Sequence, residues 1–131
     1  MKRARRVFLS YAETDRPLAK TLAKDLIAAG FTVWSKQEIL PGDNWARKVA
    51  TALDESDAMV VIVSPAAAQS EWVRREVEFA LGSPRYANRL VQVVAKPTDG
   101  MPWILDRLPS ISVKREPAEV SQQVIEALAR R

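Results

Sequence analysis

Apolar positions along the chain fall into two alternating kinds of run. Short unbroken hydrophobic blocks are separated by longer stretches in which Leu, Val and Ala recur at helical spacing. RVFLSY (Arg6–Tyr11) suits a buried parallel strand. Leu18, Leu22, Leu26 and Ala29 then predict an amphipathic helix over Asp15–Ala29, with Thr14 or Asp15 as cap, Pro17 in the first turn and Gly30 past the end. FTVW (Phe31–Trp34) is a second strand. A loop over Ser35–Asn44 leads to a helix that Asp43 or Asn44 can cap and that runs to about Asp54. AMVVIVS (Ala58–Ser64), the most β-branched run, reads as the central strand. Ser64-Pro65 reads as a turn, Ser70–Leu81 as a helix closed near Gly82-Ser83-Pro84, and Arg89–Ala95 as a fourth strand. Pro97–Pro109 is loop with room for one helical turn, SISVK (Ser110–Lys114) an edge strand, and Pro117–Arg130 a last helix.

Strand–helix alternation of this kind predicts a parallel sheet covered by helices on both faces. Five strands fit a flavodoxin-like three-layer α/β fold with strand order 2-1-3-4-5. No repeat, low-complexity segment or linker divides residues 1–131, which read as one domain. The helical pattern persists to the last residues, as in a piece of a longer protein.

Ligands of such folds bind beyond the carboxyl ends of the strands, here the loops Ser10–Asp15, Ser35–Asn44, Ala66–Ser70 and Lys96–Pro102. The helix after the third loop, SEWVRREVEFAL, carries three glutamates. Residues three and four apart are helix neighbours. Glu71 therefore meets Arg74 and Arg75, and Glu78 looks back at the same pair. Glu76 has only Trp72, Val73, Phe79 and Ala80 around it. A carboxylate so placed is either a boundary residue reaching solvent or a loop N–H, or a group kept for chemistry.

Composition narrows that chemistry. The chain has no cysteine and no histidine, so thiolate nucleophiles, serine–histidine triads and cysteine- or histidine-ligated metals are excluded. No Gly-x-Gly-x-x-Gly or P-loop follows the first strand, and no acidic cluster at the strand ends suggests a metal. The 47% apolar and 27% charged residues are ordinary for a soluble globular protein. The net charge of +4 comes partly from Lys2, Arg3, Arg5 and Arg6 and from Arg130-Arg131. These ends lack interleaved aromatics, which argues against nucleic acid. No apolar run could span a bilayer and no signal peptide precedes the first strand, so a cytoplasmic location is expected.

Three segments together resemble the TIR (Toll/interleukin-1 receptor) domain. VFLSYAETD is similar to its first-strand box. GFTVWSKQEILPGDNW is similar to the second strand and BB loop, with Pro41-Gly42 and then Trp45. SDAMVVIVSPAAAQSEWVRREVEFAL is similar to the third strand and a helix with Trp and Glu at Trp-x-x-x-Glu spacing. Trp103 stands nearest to the third box.

Some TIR domains are signalling adaptors; others, many bacterial and plant members among them, cleave NAD at the nicotinamide–ribose bond with one glutamate in the helix after the third strand. The resemblance implies an NAD glycohydrolase with Glu76 as the catalytic residue, Trp72 as a stacking face, and release of nicotinamide with ADP-ribose or a cyclic variant. NAD is then substrate, and neither cofactor nor metal is implied. Ser10 and Tyr11 become substrate-side candidates, Ser10 equally a cap for the following helix. Lys36 can neutralise a pyrophosphate or be a solvated lysine, and Trp34 can line the pocket or pack in the core. Ile39, Leu40, Pro41, Gly42, Asp43 and Trp45 form the loop through which TIR domains commonly dock on one another. Self-association, an attached sensor domain and a role in immunity or cell suicide, such as antiphage defence, are the partners and context implied. Two rivals stand beside this: a non-enzymatic TIR–TIR adaptor, and a nucleoside deoxyribosyltransferase-like enzyme with a nucleophilic glutamate.

Overall fold

A computed structural model describes residues 5–113 and 117–129. Lys2, Arg3, the Lys114 end of the expected fifth strand, Arg130 and Arg131 lie outside them. Five strands form one sheet in the order β2-β1-β3-β4-β5, every pairing parallel. They are β1 (Arg6–Ser10), β2 (Thr32–Trp34), β3 (Ala58–Val63), β4 (Leu90–Val94) and β5 (Ser110–Ser112). The expected architecture and order are thus those observed, with strand ends shifted by a residue or two.

Helices α1 (Arg16–Ala28), α2 (Trp45–Glu55), α3 (Pro65–Gln69), α4 (Glu71–Leu81) and α5 (Pro117–Ala129) complete the layers. Successive strand side chains point to opposite faces, which splits the core in two. Val7, Leu9, Val60 and Ile62 pack with α1 and α5. Phe8, Met59, Val61 and Val63 pack with α2, α3 and α4. All six residues of β3 are buried, as its β-branched run predicts for a central strand flanked on both faces.

Two local expectations are corrected. Ser64-Pro65 is no simple turn: Ser64 caps α3, its Oγ accepting from Ala67 N at 3.1 Å, and Pro65 fills the first helical position. Asp15 precedes α1 but makes no capping bond, and neither does Ser10. The Asp15 carboxylate instead accepts a hydrogen bond from the Ser64 hydroxyl at 2.5 Å, tying the segment after β1 to the start of α3. Asn44 does cap α2, accepting from Arg47 N at 3.0 Å.

Candidate active site

The apolar stripe of α4 is Val73, Val77 and Ala80, and Glu76 lies within it, 8% exposed. Ser70 fixes the start of this helix by accepting from Val73 N at 3.2 Å, and Glu71 places negative charge in its first turn, where the helix dipole favours it. Alternation along β1 puts Ser10 on the same face as Phe8, the face that α4 covers. The two meet: Ser10 Oγ donates to Glu76 Oε1 at 2.7 Å across 66 positions of sequence. Burial raises the Glu76 pKa from 4.5 to about 7, with the Ser10 hydrogen bond and the positive charge of Lys36 pulling it part of the way back.

Glu76 opens onto a cleft of about 90 Å³ at the carboxyl edge of the sheet. Tyr11, Trp34, Lys36, Trp45 and Trp72 stand in its walls, completed by Leu9, Ser70 and Val73. Trp34 does both things open to it, lining the cleft and stacking on Phe8 with centroids 5.0 Å apart. Lys36 is no freely solvated lysine. Its Nζ donates to the Tyr11 carbonyl at 3.2 Å, pairs with Glu13 at 3.4 Å and lies 4.7 Å from the centre of the Tyr11 ring. Trp72 meets Trp45 edge-on, centroids 3.9 Å apart, and Arg75 lies 5.8 Å from the centre of the Trp72 ring.

Other residues fall elsewhere. Ser10 is buried behind Glu76 and is not part of the cleft wall. Phe79, a neighbour of Glu76 by helical spacing, turns outward onto the edge of Tyr86 and leaves the cleft. Glu71 pairs with Arg75 at 3.1 Å, but among the described residues Glu78 forms no ion pair, and Arg74 reaches the Gly100 carbonyl. The loop pair divides: Ile39 folds back against the α2–α4 side of the core, while Leu40 stays 65% exposed. Pro41 and Gly42 are exposed, and Asp43 accepts from Leu40 N at 2.8 Å and pairs with Lys48. By sequence Trp45 belongs to that loop; its place in the cleft wall depends on the helix it starts. Trp103 is 71% exposed on a 3-10 turn. Among the described residues no cluster of acidic side chains could hold a metal ion.

The sequence profile of the TIR domain matches residues 7–128. The chain belongs to the TIR family. In this TIR domain the first-strand box supplies Ser10 and the helix after the third strand supplies Glu76, so the 2.7 Å contact joins two of its motifs. The stimulator of interferon genes protein of Magallana gigas is 31% identical over 88 residues, 66% of this chain and 21% of its own length. A metazoan TIR-STING receptor from C. gigas, solved with 2′,3′-cGAMP, superposes with a TM-score of 0.79 at 26% identity, over 96% of this chain and 40% of that one. The TIR domain of the Toll-related receptor TRR-2 from Hydra magnipapillata shares the fold, with a TM-score of 0.75 at 20% identity over 95% and 94% of the two chains. The TIR domain thus spans about a fifth of the Magallana gigas protein it resembles.

Proposed function

We propose that this TIR domain hydrolyses NAD at the nicotinamide–ribose bond. The observation that carries the reading is Glu76, a carboxylate buried within an apolar helix stripe yet opening onto an aromatic cleft at the sheet edge where such folds bind ligands. Its burial disfavours the charged state, and a purely structural role would be served by an apolar residue.

The chemistry needs little else. The bond from ribose C1′ to the pyridinium nitrogen breaks with both electrons going to nitrogen, so nicotinamide leaves neutral and unprotonated. The ribose becomes an oxocarbenium-like cation. A carboxylate beside it stabilises the transition state more than the ground state, and the more so in a low-dielectric site. Water then adds to C1′ and loses a proton, giving ADP-ribose; attack by an adenine ring nitrogen of the same molecule gives the cyclic product. Trp72 and Trp34 offer faces for the nicotinamide ring. The positive charge of Lys36 helps Glu76 ionise.

The cleft of about 90 Å³ falls well below the roughly 300–1,000 Å³ of ordinary ligand pockets. It suits the nicotinamide end and leaves the rest of NAD to a surface completed by a second copy. The exposed Leu40 loop beside Trp45 is the contact we assign to that assembly, head to tail and able to propagate. The same loop would serve an adaptor, but an adaptor gains nothing from a buried Glu76. The deoxyribosyltransferase-like rival would need Glu76 to bond covalently to the sugar. The relatives' names, a stimulator of interferon genes protein and a TIR-STING receptor, support an effector role in immunity within a longer, sensor-bearing protein. No described helix is long and apolar enough to cross a membrane, in keeping with action in the cytoplasm.

The test is release of free nicotinamide from NAD by the concentrated chain. Glu76→Gln should cut the rate at least about a hundredfold, the scale of losing one transition-state electrostatic contact, while circular dichroism stays that of the folded domain. No nicotinamide from the unaltered chain at high concentration would favour the adaptor. A trapped ribosyl–Glu76 ester would favour the third reading.

A further inference from the structure

We propose that Ser10 is a positioning residue for Glu76: from the end of β1 its hydroxyl clamps one carboxylate oxygen, which orients the other and favours the charged over the neutral group. This rests on the hydrolase reading above and reassigns Ser10 from the substrate side. Ser10 is 1% exposed and lies outside the cleft wall, so it has no path to a ribose or phosphate. Its one proton is already committed to Glu76 Oε1. Among the described residues it makes the sole hydrogen bond to that carboxylate.

The two sides of the contact differ in rigidity. Ser10 is anchored in the sheet, paired in register with Val61 of β3, and its side chain has a single heavy-atom torsion. Glu76 reaches from α4 with three torsions. A bond from the rigid partner therefore fixes the flexible one and leaves Oε2 as the oxygen without a donor among the described residues. The contact also selects charge, because a donor to a carboxylate favours its ionised form. Around Glu76 the charged groups are few. Lys36, after β2, faces it while shared with Glu13 and the Tyr11 carbonyl. On α4, Arg75 is engaged by Glu71 and Arg74 by the Gly100 carbonyl. Asp15 is held by Ser64, and α3 has no charged residue. Ser10 and Lys36 thus oppose desolvation together, and Ser10 does so by direct contact.

The experiment replaces Ser10 with Ala and with Cys, a weaker donor of similar size, in the full chain. Glu76 is titrated by carbon-13 NMR of labelled glutamate without NAD, and nicotinamide release is followed against pH. The titration midpoint should rise by about one pH unit in Ser10→Ala, a tenfold gain in proton affinity, and by less in Ser10→Cys. The pH–rate profile should move to the alkaline side by the same amount, with KM little changed. An unmoved midpoint in folded Ser10→Ala overturns the proposal. So does a rate that falls equally at every pH with a raised KM, which would return Ser10 to substrate binding. A shifted midpoint with no NAD cleavage by the unaltered chain would refute the hydrolase reading while supporting the clamp.

Discussion

Replacing Glu76 with Gln should make the domain more stable at alkaline pH, and the gain should grow with pH in a definite window. Burial raises the Glu76 pKa from 4.5 to about 7, whereas the unfolded chain titrates near the ordinary value. The folded state therefore binds this proton more tightly than the unfolded state does. The contribution to stability is fully present below pH 4.5 and is lost as pH rises through about 7. The gap is about 2.5 decades of proton affinity at about 1.4 kcal/mol each, so complete ionisation costs the fold about 3.5 kcal/mol. That is a large share of the roughly 5–15 kcal/mol that holds a domain together. Gln has nearly the same shape, accepts from Ser10 and never ionises. The variant should match the parent near pH 4.5 and exceed it by about 3 kcal/mol at pH 8, or about 10 °C in melting temperature for a chain of this length. Urea or thermal unfolding of both proteins between pH 4.5 and 8 measures the difference. A gap that stays constant with pH, or one that narrows as pH rises, would refute the reasoning.

Activity should run the opposite way, rising with pH through about 7 as Glu76 deprotonates and levelling off above it; a rate that falls over this range would mean the acid form works. Glu71→Gln and Glu78→Gln should change nicotinamide release by less than about twofold, since Glu71 has only an exposed pair with Arg75; losses equal to that of Glu76→Gln would erase the distinction among the three. Specific activity should climb with protein concentration or crowding. Gly42→Pro should abolish that climb and leave a folded monomer, because Gly42 is exposed with φ +91° and proline is fixed near −65°. Constant specific activity on dilution, with that variant fully active, would show the pocket complete in one chain.

The sheet was legible because each strand is short, apolar and separated from the next by a helix with its own period. The short helix α3 was not, since Pro65–Gln69 is too brief to show a period and its capping serine resembles a turn residue. Glu76 could be singled out because its oddity is local: nothing at helical spacing can pair with it. Its partner could not, because Ser10 is brought to it only by strand pairing and helix packing, and a strand-end serine looks the same whatever it touches. Phe79 was misplaced for a related reason. Helical spacing gives neighbours along the surface but not which side faces the sheet, and Phe79 lies on the outer flank, its ring packed at right angles to the buried Tyr86. Trp45 followed a loop in sequence, and only the direction of α2 turns its ring toward Trp72.

That contact between Trp45 and Trp72 has an optical consequence. The two indoles lie 3.9 Å apart at 70° to each other, close enough and skewed enough for their electronic transitions to couple and give a paired circular-dichroism signal. Trp45 is the first residue of α2, directly after the Ile39–Asn44 loop, and Trp72 stands on the wall of the Glu76 cleft. A pull on the loop that shifts the start of α2 must therefore change the colour of the cleft as ultraviolet light sees it. The domain carries its own gauge of loop position, readable with no label and no substrate.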